Sequence, residues 1–318
     1  MCRETVQVQH YIDKALLRMR LELFQEVHLG CSELSPLLSD ALWPAGKALR
    51  PKLGLTIAFL FSQDPLEHPE IMALCKAIEC VHMASLLHDD VLDLGETRRY
   101  RPCFYHAWGQ RKAILLGDYL LSIALRYLVD ANHIGLLSII QRAVTEMTRG
   151  QIQEELMSWS QGIEEYEQIA LQKTASLFSA TAKAVCEIFC IQDSRAILLE
   201  SYGKSVGFCY QLQDDLQDYM STRKDKQRFQ DFFQSRITAP LLWLRERVSL
   251  ETQYTIKTWW NRPTLEHAHH IYELMVYHNI PCYGRKKIQE HKISIYEQLQ
   301  EYWLLESIDP LMQFFSFS

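Results

Sequence analysis

Six aspartates fall in two short motifs of the same form, HDDVLD at 88–93 and QDDLQD at 213–218. In each motif the first and last aspartates are four residues apart, which places them on one face of a helix, where like charges repel. One such cluster is as typical of a solvated helix face as of a site. Two clusters, each following an apolar run, predict a site for hard divalent cations with oxygen ligands. The candidate ligands are Asp89, Asp90, Asp93, Asp214, Asp215 and Asp218.

Two adjacent arginines, Arg98 and Arg99, follow the first motif. Arginine can hold phosphate oxygens in bidentate fashion. Mg²⁺, with Mn²⁺ as an alternative, suits the aspartates because it keeps several waters and completes its coordination with substrate phosphates. These residue types therefore indicate a diphosphate held by metal and arginine, with an apolar helix behind it to hold an apolar chain.

Other basic residues follow the same logic. Lys47 and Arg50 stand in PAGKALRP, at a predicted helix start where backbone amides favour anions. His82 lies seven residues before Asp89, about two turns earlier on the same face. Lys173 stands in QKTASLF. Taken singly, a lysine or arginine is more often a solvated surface residue, and a histidine more often a structural one. The order of these residues along the chain is what indicates a function.

The composition excludes several classes of protein. The 318 residues are 48% hydrophobic, enough for a large core, and the net charge of −6 gives no basic field for nucleic acid. The nine cysteines show no CxxC pair or zinc spacing, which predicts reduced thiols in a cytoplasmic protein. The first residues lack a basic stretch followed by an apolar one, so we expect no signal peptide.

The elements that position these residues are predicted to be helices. Glycine and proline are sparse, at 12 and 10 residues, and strand-like alternation is weak. A period near 3.6 is common, as in Leu171, Ala175, Phe178 and Ala182. We predict one all-α domain over 1–318, with about ten or more helices and each aspartate motif at the end of one of them.

The order of the motifs resembles that of the trans-isoprenyl diphosphate synthases, in particular the medium- and long-chain polyprenyl diphosphate synthases such as octaprenyl diphosphate synthase. The resemblance covers residues 40–245. It is carried by GKALRP, CVHMASLLHDDVLDLGETRRYRP, LLGDYLLSIAL, RGQIQEEL, KTASLF and GFCYQLQDDLQDY. It implies a single large helical bundle of the isoprenoid synthase type with a central apolar cavity, and a homodimer.

The resemblance also implies an activity. The protein would be a Mg²⁺-dependent prenyltransferase that condenses isopentenyl diphosphate onto an allylic diphosphate and hands a longer all-trans polyprenyl diphosphate to membrane enzymes. Asp89, Asp93 and Asp214 would bind Mg²⁺, supported by the other three aspartates. The residues implied for the allylic diphosphate are Arg98, Lys173, Thr174, Gln211 and Lys226. Those implied for isopentenyl diphosphate are Gly46, Lys47, Arg50, His82 and Arg99.

Four residues before the first motif bear on product length. If 77–93 is one helix, Ala77, Val81, Ala84 and Ser85 lie below the reaction centre. All four side chains are small or medium in size. In short-chain members of the family, bulky residues at these places would block the path of the growing chain. We therefore predict a long all-trans product, on the order of thirty to fifty carbons. The alternative is that these residues only allow close helix packing.

The stretch after the second motif departs from the family pattern GKxxGxDLxxGKxT and reads DKQRFQDFFQSRIT. Lys226, Asp231 and Thr238 keep their places, and Arg236 replaces a lysine. Asp225, Phe229 and Ser235 stand where glycines are usual. Glycine tolerates backbone angles that these residues resist, so the resemblance does not fix the geometry of this segment.

Two other functions stay open. A terpene cyclase or other prenyl-transferring enzyme could share the fold, but a cyclase has no second diphosphate for Lys47, Arg50 and His82 to bind. A regulatory subunit of a heteromeric prenyl synthase need not keep its metal ligands, whereas all six aspartates are present here.

Overall fold

The computed structural model describes residues 3–30, 46–93, 97–98, 101–102, 104–220 and 228–315. Its helices are α1 (Arg3–Gly30), α2 (Leu49–Ala58), α3 (Pro69–Asp93), α4 (Phe104–Trp108), α5 (Gln110–Asp130), α6 (Ile134–Glu155), α7 (Ile163–Ala170), α8 (Ser176–Ile188), α9 (Ser194–Met220), α10 (Gln230–Phe233), α11 (Ala239–Arg245), α12 (Leu250–Asn261), α13 (Leu265–Tyr277), α14 (Ile280–Gln300) and α15 (Leu305–Met312). A π-helical turn, Leu171–Ala175, joins α7 to α8. Two 3-10 helices, Pro65–Glu67 and Gln313–Phe315, and two antiparallel strands of two residues, β1 (Thr97–Arg98) and β2 (Arg101–Pro102), complete the described elements. The all-α prediction is confirmed.

The described residues form two compact units, each drawn from separate stretches of the chain. The first unit takes its residues from 1–144, 177–203 and 299–314. The second takes its residues from 145–176, 204–298 and 315–318. The sequence contains no linker that would have indicated this division, and a single domain over 1–318 stays a prediction.

Helix α3 is a core element of the first unit. It begins at Pro69, where the missing N–H of proline costs no hydrogen bond. Its length and apolar composition would suffice to cross a membrane, but 61% of its most apolar window is buried within the protein. Lys76, which is buried there, lies 2.8 Å from Glu22 and 2.7 Å from Glu26 of α1. The one long helix predicted for 77–93 is confirmed, and it ends at Asp93, the last residue of the first motif.

In the second unit, the end of α9 carries the second motif. Gly284 of α14 has no space for a side chain, because a Cβ there would lie 2.6 Å from Leu216 Cδ1. Helix α14 therefore packs closely against the motif itself. Nearby, α12 and α13 begin at ordinary N-caps, where Ser249 and Thr264 accept the N–H groups of the third residues that follow, at 3.2 and 3.1 Å.

Candidate active site

The first motif is anchored by the histidine that precedes its aspartates. Its three carboxylates, on Asp89, Asp90 and Asp93, are half-buried in the last turns of α3. His88 Nε2 lies 3.3 Å from the carbonyl oxygen of Ile114 and 3.5 Å from Asp118 Oδ1, both on α5. Gly117 makes this approach possible, since a Cβ there would lie 2.2 Å from His88 Nε2. The end of α3, and with it the first motif, is thus fixed on α5.

The GKALRP residues lie where α2 begins. Lys47 is exposed, whereas Arg50 is only 7% exposed in the first turn of the helix. The Arg50 guanidinium lies 4.4 Å from the ring centroid of Phe178 on α8, a cation–π distance that fixes the plane of the side chain. The carbonyl of Gly46 accepts a hydrogen bond from Arg20 of α1. These contacts hold the predicted isopentenyl diphosphate residues at a helix start, as the sequence indicated.

The small residues of α3 do not share one environment. Ala77, Val81 and Ala84 are almost completely buried. Ser85 is half-buried, and its hydroxyl donates to the carbonyl of His82 at 2.8 Å. Of the remaining predicted ligands, Arg98 lies in β1, whereas Arg99 and Lys226 lie outside the described residues.

The three aspartates of the second motif differ in exposure and partners. Asp214 is exposed, and Asp215 is 2% exposed. Asp215 accepts hydrogen bonds from the Tyr166 hydroxyl and from Gln211 Nε2, each at 2.6 Å. Gln211 in turn accepts from the Thr174 hydroxyl at 2.6 Å. The structure thus joins three predicted residues, at 174, 211 and 215, in one hydrogen-bonded chain.

Asp218, which is 4% exposed, organises the segment that follows the motif. Its two carboxylate oxygens accept the backbone N–H groups of Gln230 at 3.0 Å and Asp231 at 3.1 Å. Its backbone carbonyl accepts the N–H of Phe229 at 3.0 Å. Asp218 therefore supports the start of α10.

Negative charge is concentrated around this motif. Burial raises the pKa of Asp215 to about 7, and the charges of Asp214 and Glu154 add to the rise, against the hydrogen bonds from Tyr166 and Gln211. Burial also raises the pKa of Asp231 well above its usual value, together with the charges of Asp218 and Asp215. A hard cation would relieve this repulsion, and its preferred ligands are carboxylate oxygens. The residues present therefore fit Mg²⁺.

The two buried aspartates of the second motif, Asp215 and Asp218, make hydrogen bonds within the protein. Within the described residues, no three His, Cys, Asp or Glu side chains are grouped closely enough to hold a metal ion. Asp215 and Asp218 are instead turned towards protein donors.

Two cations lie beside this cluster. Lys173, in the π-helical turn, donates to Glu154 Oε2 of α6 at 2.6 Å. Arg236 lies 3.8 Å from the same carboxylate and 3.9 Å from Asp231. The second unit thus brings acidic and basic side chains together at the end of α9, which is the combination that a metal diphosphate requires.

In the stretch after the second motif, the backbone has angles that favour glycine. Phe229 has φ +67° and Ser235 has φ +54°, both in the left-handed region. Phe229 is 2% exposed, and the Arg228 guanidinium lies 4.5 Å from its ring centroid and 4.6 Å from that of Tyr272. The Ser235 hydroxyl donates to the carbonyl of Trp260 at 3.0 Å. The side-chain contacts of Phe229 and Ser235 thus stabilise backbone angles that glycine would adopt without strain.

Sequence reasoning missed three residues of the site. The motifs HDDVLD and RGQIQEEL contain His88 and Glu154, but residue type and spacing assign neither of them a role. Tyr166 stands seven residues before Lys173, about two helical turns, and that spacing is the only signal that could have marked it.

One groove of the second unit is unrelated to these residues. It has a volume of about 590 Å³ and lies between α12 and α13. Its lining residues are Glu251, Thr252, Thr255, Trp259, His270, Glu273, Leu274 and Tyr277. It contains none of the residues predicted for the site.

Known proteins resemble this chain in sequence and in fold. The family model of polyprenyl synthetases matches residues 32–275. A prenyl transferase from Cyanophora paradoxa is 31% identical over 67% of this chain and 69% of that protein. Component 2 of the heptaprenyl diphosphate synthase of Geobacillus stearothermophilus is 31% identical over 67% of this chain and 68% of that protein.

A solved structure shows the same fold. The polyprenyl synthase of Caulobacter crescentus, in complex with calcium and isoprenyl diphosphate, has a TM-score of 0.90 at 22% identity. The match covers 98% of this chain and 96% of that one. The arrangement of helices is therefore shared over nearly the whole length of both.

Proposed function

The chain belongs to the polyprenyl synthetase family, and we propose that it condenses isopentenyl diphosphate onto an allylic diphosphate, with Mg²⁺, to give a longer all-trans polyprenyl diphosphate. The observation that carries this proposal is the cluster at the end of α9. There Asp214, Asp215 and Asp231 lie with Lys173 and Arg236, so that one small region offers oxygen ligands for a metal and cations for a diphosphate.

The aspartates of each motif would bind Mg²⁺. Asp214 is exposed and has the freest access, while Asp215 and Asp218 support the site from buried positions. Bound Mg²⁺ would supply positive charge that stabilises the departing diphosphate.

The other residues bind and orient the two substrates. Lys173 and Arg236 would bind the allylic diphosphate and stabilise its charge as its carbon–oxygen bond breaks. Lys47 and Arg50 would hold isopentenyl diphosphate, whose double bond forms the new carbon–carbon bond with the allylic cation. The proton then lost goes to the departing diphosphate. Apolar helix surfaces such as that of α3 would exclude water, which would otherwise quench the cation.

We further propose that the protein is a homodimer. Leu115, Leu125 and Val129 are 67%, 50% and 61% exposed, and they lie along one side of α5. An exposed stripe of large apolar side chains is typical of an interface. A heteromer is the alternative, because one relative is named as a component of a synthase.

The experiment that tests the activity is a product assay. Purified protein, Mg²⁺, labelled isopentenyl diphosphate and allylic primers of several lengths are incubated, and the products are resolved by chain length. We expect elongation that stops when EDTA is added. Asp214→Asn should abolish turnover without loss of helix content, whereas the exposed Asp130→Asn should behave as wild type.

Two results would favour the other functions. Turnover of an allylic diphosphate alone to a hydrocarbon or alcohol, unaffected by Lys47→Ala and Arg50→Ala, would indicate a cyclase. Absence of turnover with every primer, in a folded protein, would indicate a subunit that requires a partner.

A further inference from the structure

Glu154 is the counter-ion that Lys173 and Arg236 share. The Lys173 ammonium lies 2.6 Å from Glu154 Oε2 and the Arg236 guanidinium lies 3.8 Å from the same oxygen. The three side chains are 22%, 19% and 20% exposed, in the order Glu154, Lys173, Arg236. Charges withdrawn from water to this extent are stable only when paired. Burial opposes ionisation of Glu154, yet the charges of Lys173 and Arg236 lower its pKa below the usual value.

The backbone brings Glu154 close to Lys173. Gly150 lies one turn earlier on the same face of α6. A Cβ at Gly150 would lie 2.6 Å from the backbone nitrogen of Lys173, so α6 and the π-helical turn are in direct backbone contact. The turn itself presents Lys173 and Thr174 from one short segment. Single π-helical turns inside α-helices are often found at functional sites.

The ion pairs with Glu154 restrict both cations. A lysine carries four rotatable bonds, and holding its ammonium at one place costs side-chain entropy. Arg236 also lies 3.9 Å from Asp231, whereas Glu154 contacts both cations, Lys173 at 2.6 Å and Arg236 at 3.8 Å. Glu154 is therefore the group that keeps both cations side by side.

We infer that Glu154 is a positioning residue, which holds Lys173 and Arg236 in the orientation in which they receive the diphosphate of the allylic substrate. This inference rests on the proposed function. The negative charge of Glu154 and its role in positioning the two cations have opposite effects on anion binding. Removing one negative charge next to an anion site should by itself strengthen binding of the anion. If Glu154 acts by positioning, its removal should weaken that binding instead.

The experiment compares Glu154→Gln with Glu155→Gln. Glu155 is the adjacent residue, exposed, with its carboxylate bonded to Gln151 at 3.2 Å, so it is a matched control for the charge. We expect Glu154→Gln to raise the KM for the allylic diphosphate about tenfold while the KM for isopentenyl diphosphate stays within about twofold. Glu154→Asp should recover part of the loss, and Glu155→Gln should behave as wild type.

A second measurement separates this inference from the proposed function. Calorimetry with inorganic pyrophosphate and Mg²⁺ needs no turnover, and Glu154→Gln should bind pyrophosphate more weakly than Glu155→Gln does. Equal or tighter binding, or an equal rise of both KM values, would overturn the positioning role. Wild-type protein that makes no product but shows the expected difference in pyrophosphate binding would overturn prenyl transfer and leave the positioning role supported.

Discussion

At the scale of single residues, Phe229 and Ser235 hold left-handed backbone angles, a conformation that favours glycine. A non-glycine residue in this conformation costs roughly 1–2 kcal/mol. Phe229 offsets that cost by complete burial, with its ring centroid 5.4 Å from that of His269 and 6.1 Å from that of Tyr219. The Ser235 side chain offsets it with a hydrogen bond to the carbonyl of Trp260.

Glycine at these two positions should therefore have different effects. Loss of a buried phenylalanine costs about 3–5 kcal/mol, so Phe229→Gly should lower the free energy of unfolding by about 1–4 kcal/mol despite the relieved strain. Ser235→Gly relieves the backbone strain but removes one side-chain hydrogen bond. It should therefore change the free energy of unfolding by less than about 1 kcal/mol. Urea unfolding followed by circular dichroism measures both, with Phe229→Leu as a control that keeps burial and strain. A more stable Phe229→Gly would mean that strain outweighs packing.

Residue types alone were enough to mark the aspartates but not their partners. A paired DDxxD repeat is unusual because repulsion makes it costly without a ligand, and therefore it stands out. Glu154 and Tyr166 are ordinary residues of helical surfaces in the sequence. Their roles come from burial and from contacts with residues 19 and 49 positions away. No local pattern encodes such contacts.

At the scale of elements, the contact between α3 and α5 depends on Gly117. A methyl group there would displace the His88 ring, which lies against α5 at the start of the first motif. Gly117→Ala should therefore lower the free energy of unfolding by about 1–3 kcal/mol, as overpacking usually does, and reduce turnover. The double variant with His88→Ala should regain stability, because the ring that clashes is gone. Additive losses in thermal unfolding would show that the two residues are not coupled.

The positions of the small residues around helix α3 indicate which of them can affect product length. Its face at Asp89 includes Ser85, one turn earlier, whereas Ala84 lies about 140° around the helix from Asp89. Ala84 is instead four residues before His88, on the side that meets α5. This supports close helix packing as the role of Ala84, and Ser85 as the residue on the reacting side.

Aromatic substitutions separate the two roles. Ser85→Phe should shorten the product to about fifteen or twenty carbons with the first condensation largely kept, since the ring stands on the side of the metal ligands. Ala84→Phe should chiefly destabilise the protein, because Ala84 is 0% exposed. Product chromatography measures the chain length, and thermal unfolding measures the stability of each variant. A stable Ala84→Phe variant with short products would place the wall on the opposite side of α3.

Helix boundaries were accessible from the sequence, but irregular turns were not. The apolar period predicted that both motifs end helices, which α3 and α9 confirm. The period through Leu171 and Phe178 suggested an unbroken helix. The π-helical turn Leu171–Ala175 interrupts it, and adds one residue per turn without changing which residues are apolar.

At the scale of the whole molecule, composition predicted the fold class better than the organisation. Sparse glycine and proline with a 3.6 period leave few alternatives to an all-α protein. The two compact units are not visible in the sequence, because each is assembled from segments that are far apart in the chain and no linker marks the transitions.

The apolar stripe of α5 leads to a prediction about assembly. Leu125→Glu combined with Val129→Glu should convert a dimer to a monomer, because two charges would have to be buried without partners when the interface forms. Light scattering with size exclusion measures the mass. Leu250→Glu is the matched control, since Leu250 is 82% exposed on α12 and its substitution should leave the mass unchanged. A dimer that survives the α5 changes but not the α12 change would place the interface on the second unit, and a wild-type protein that is monomeric alone would favour a heteromer.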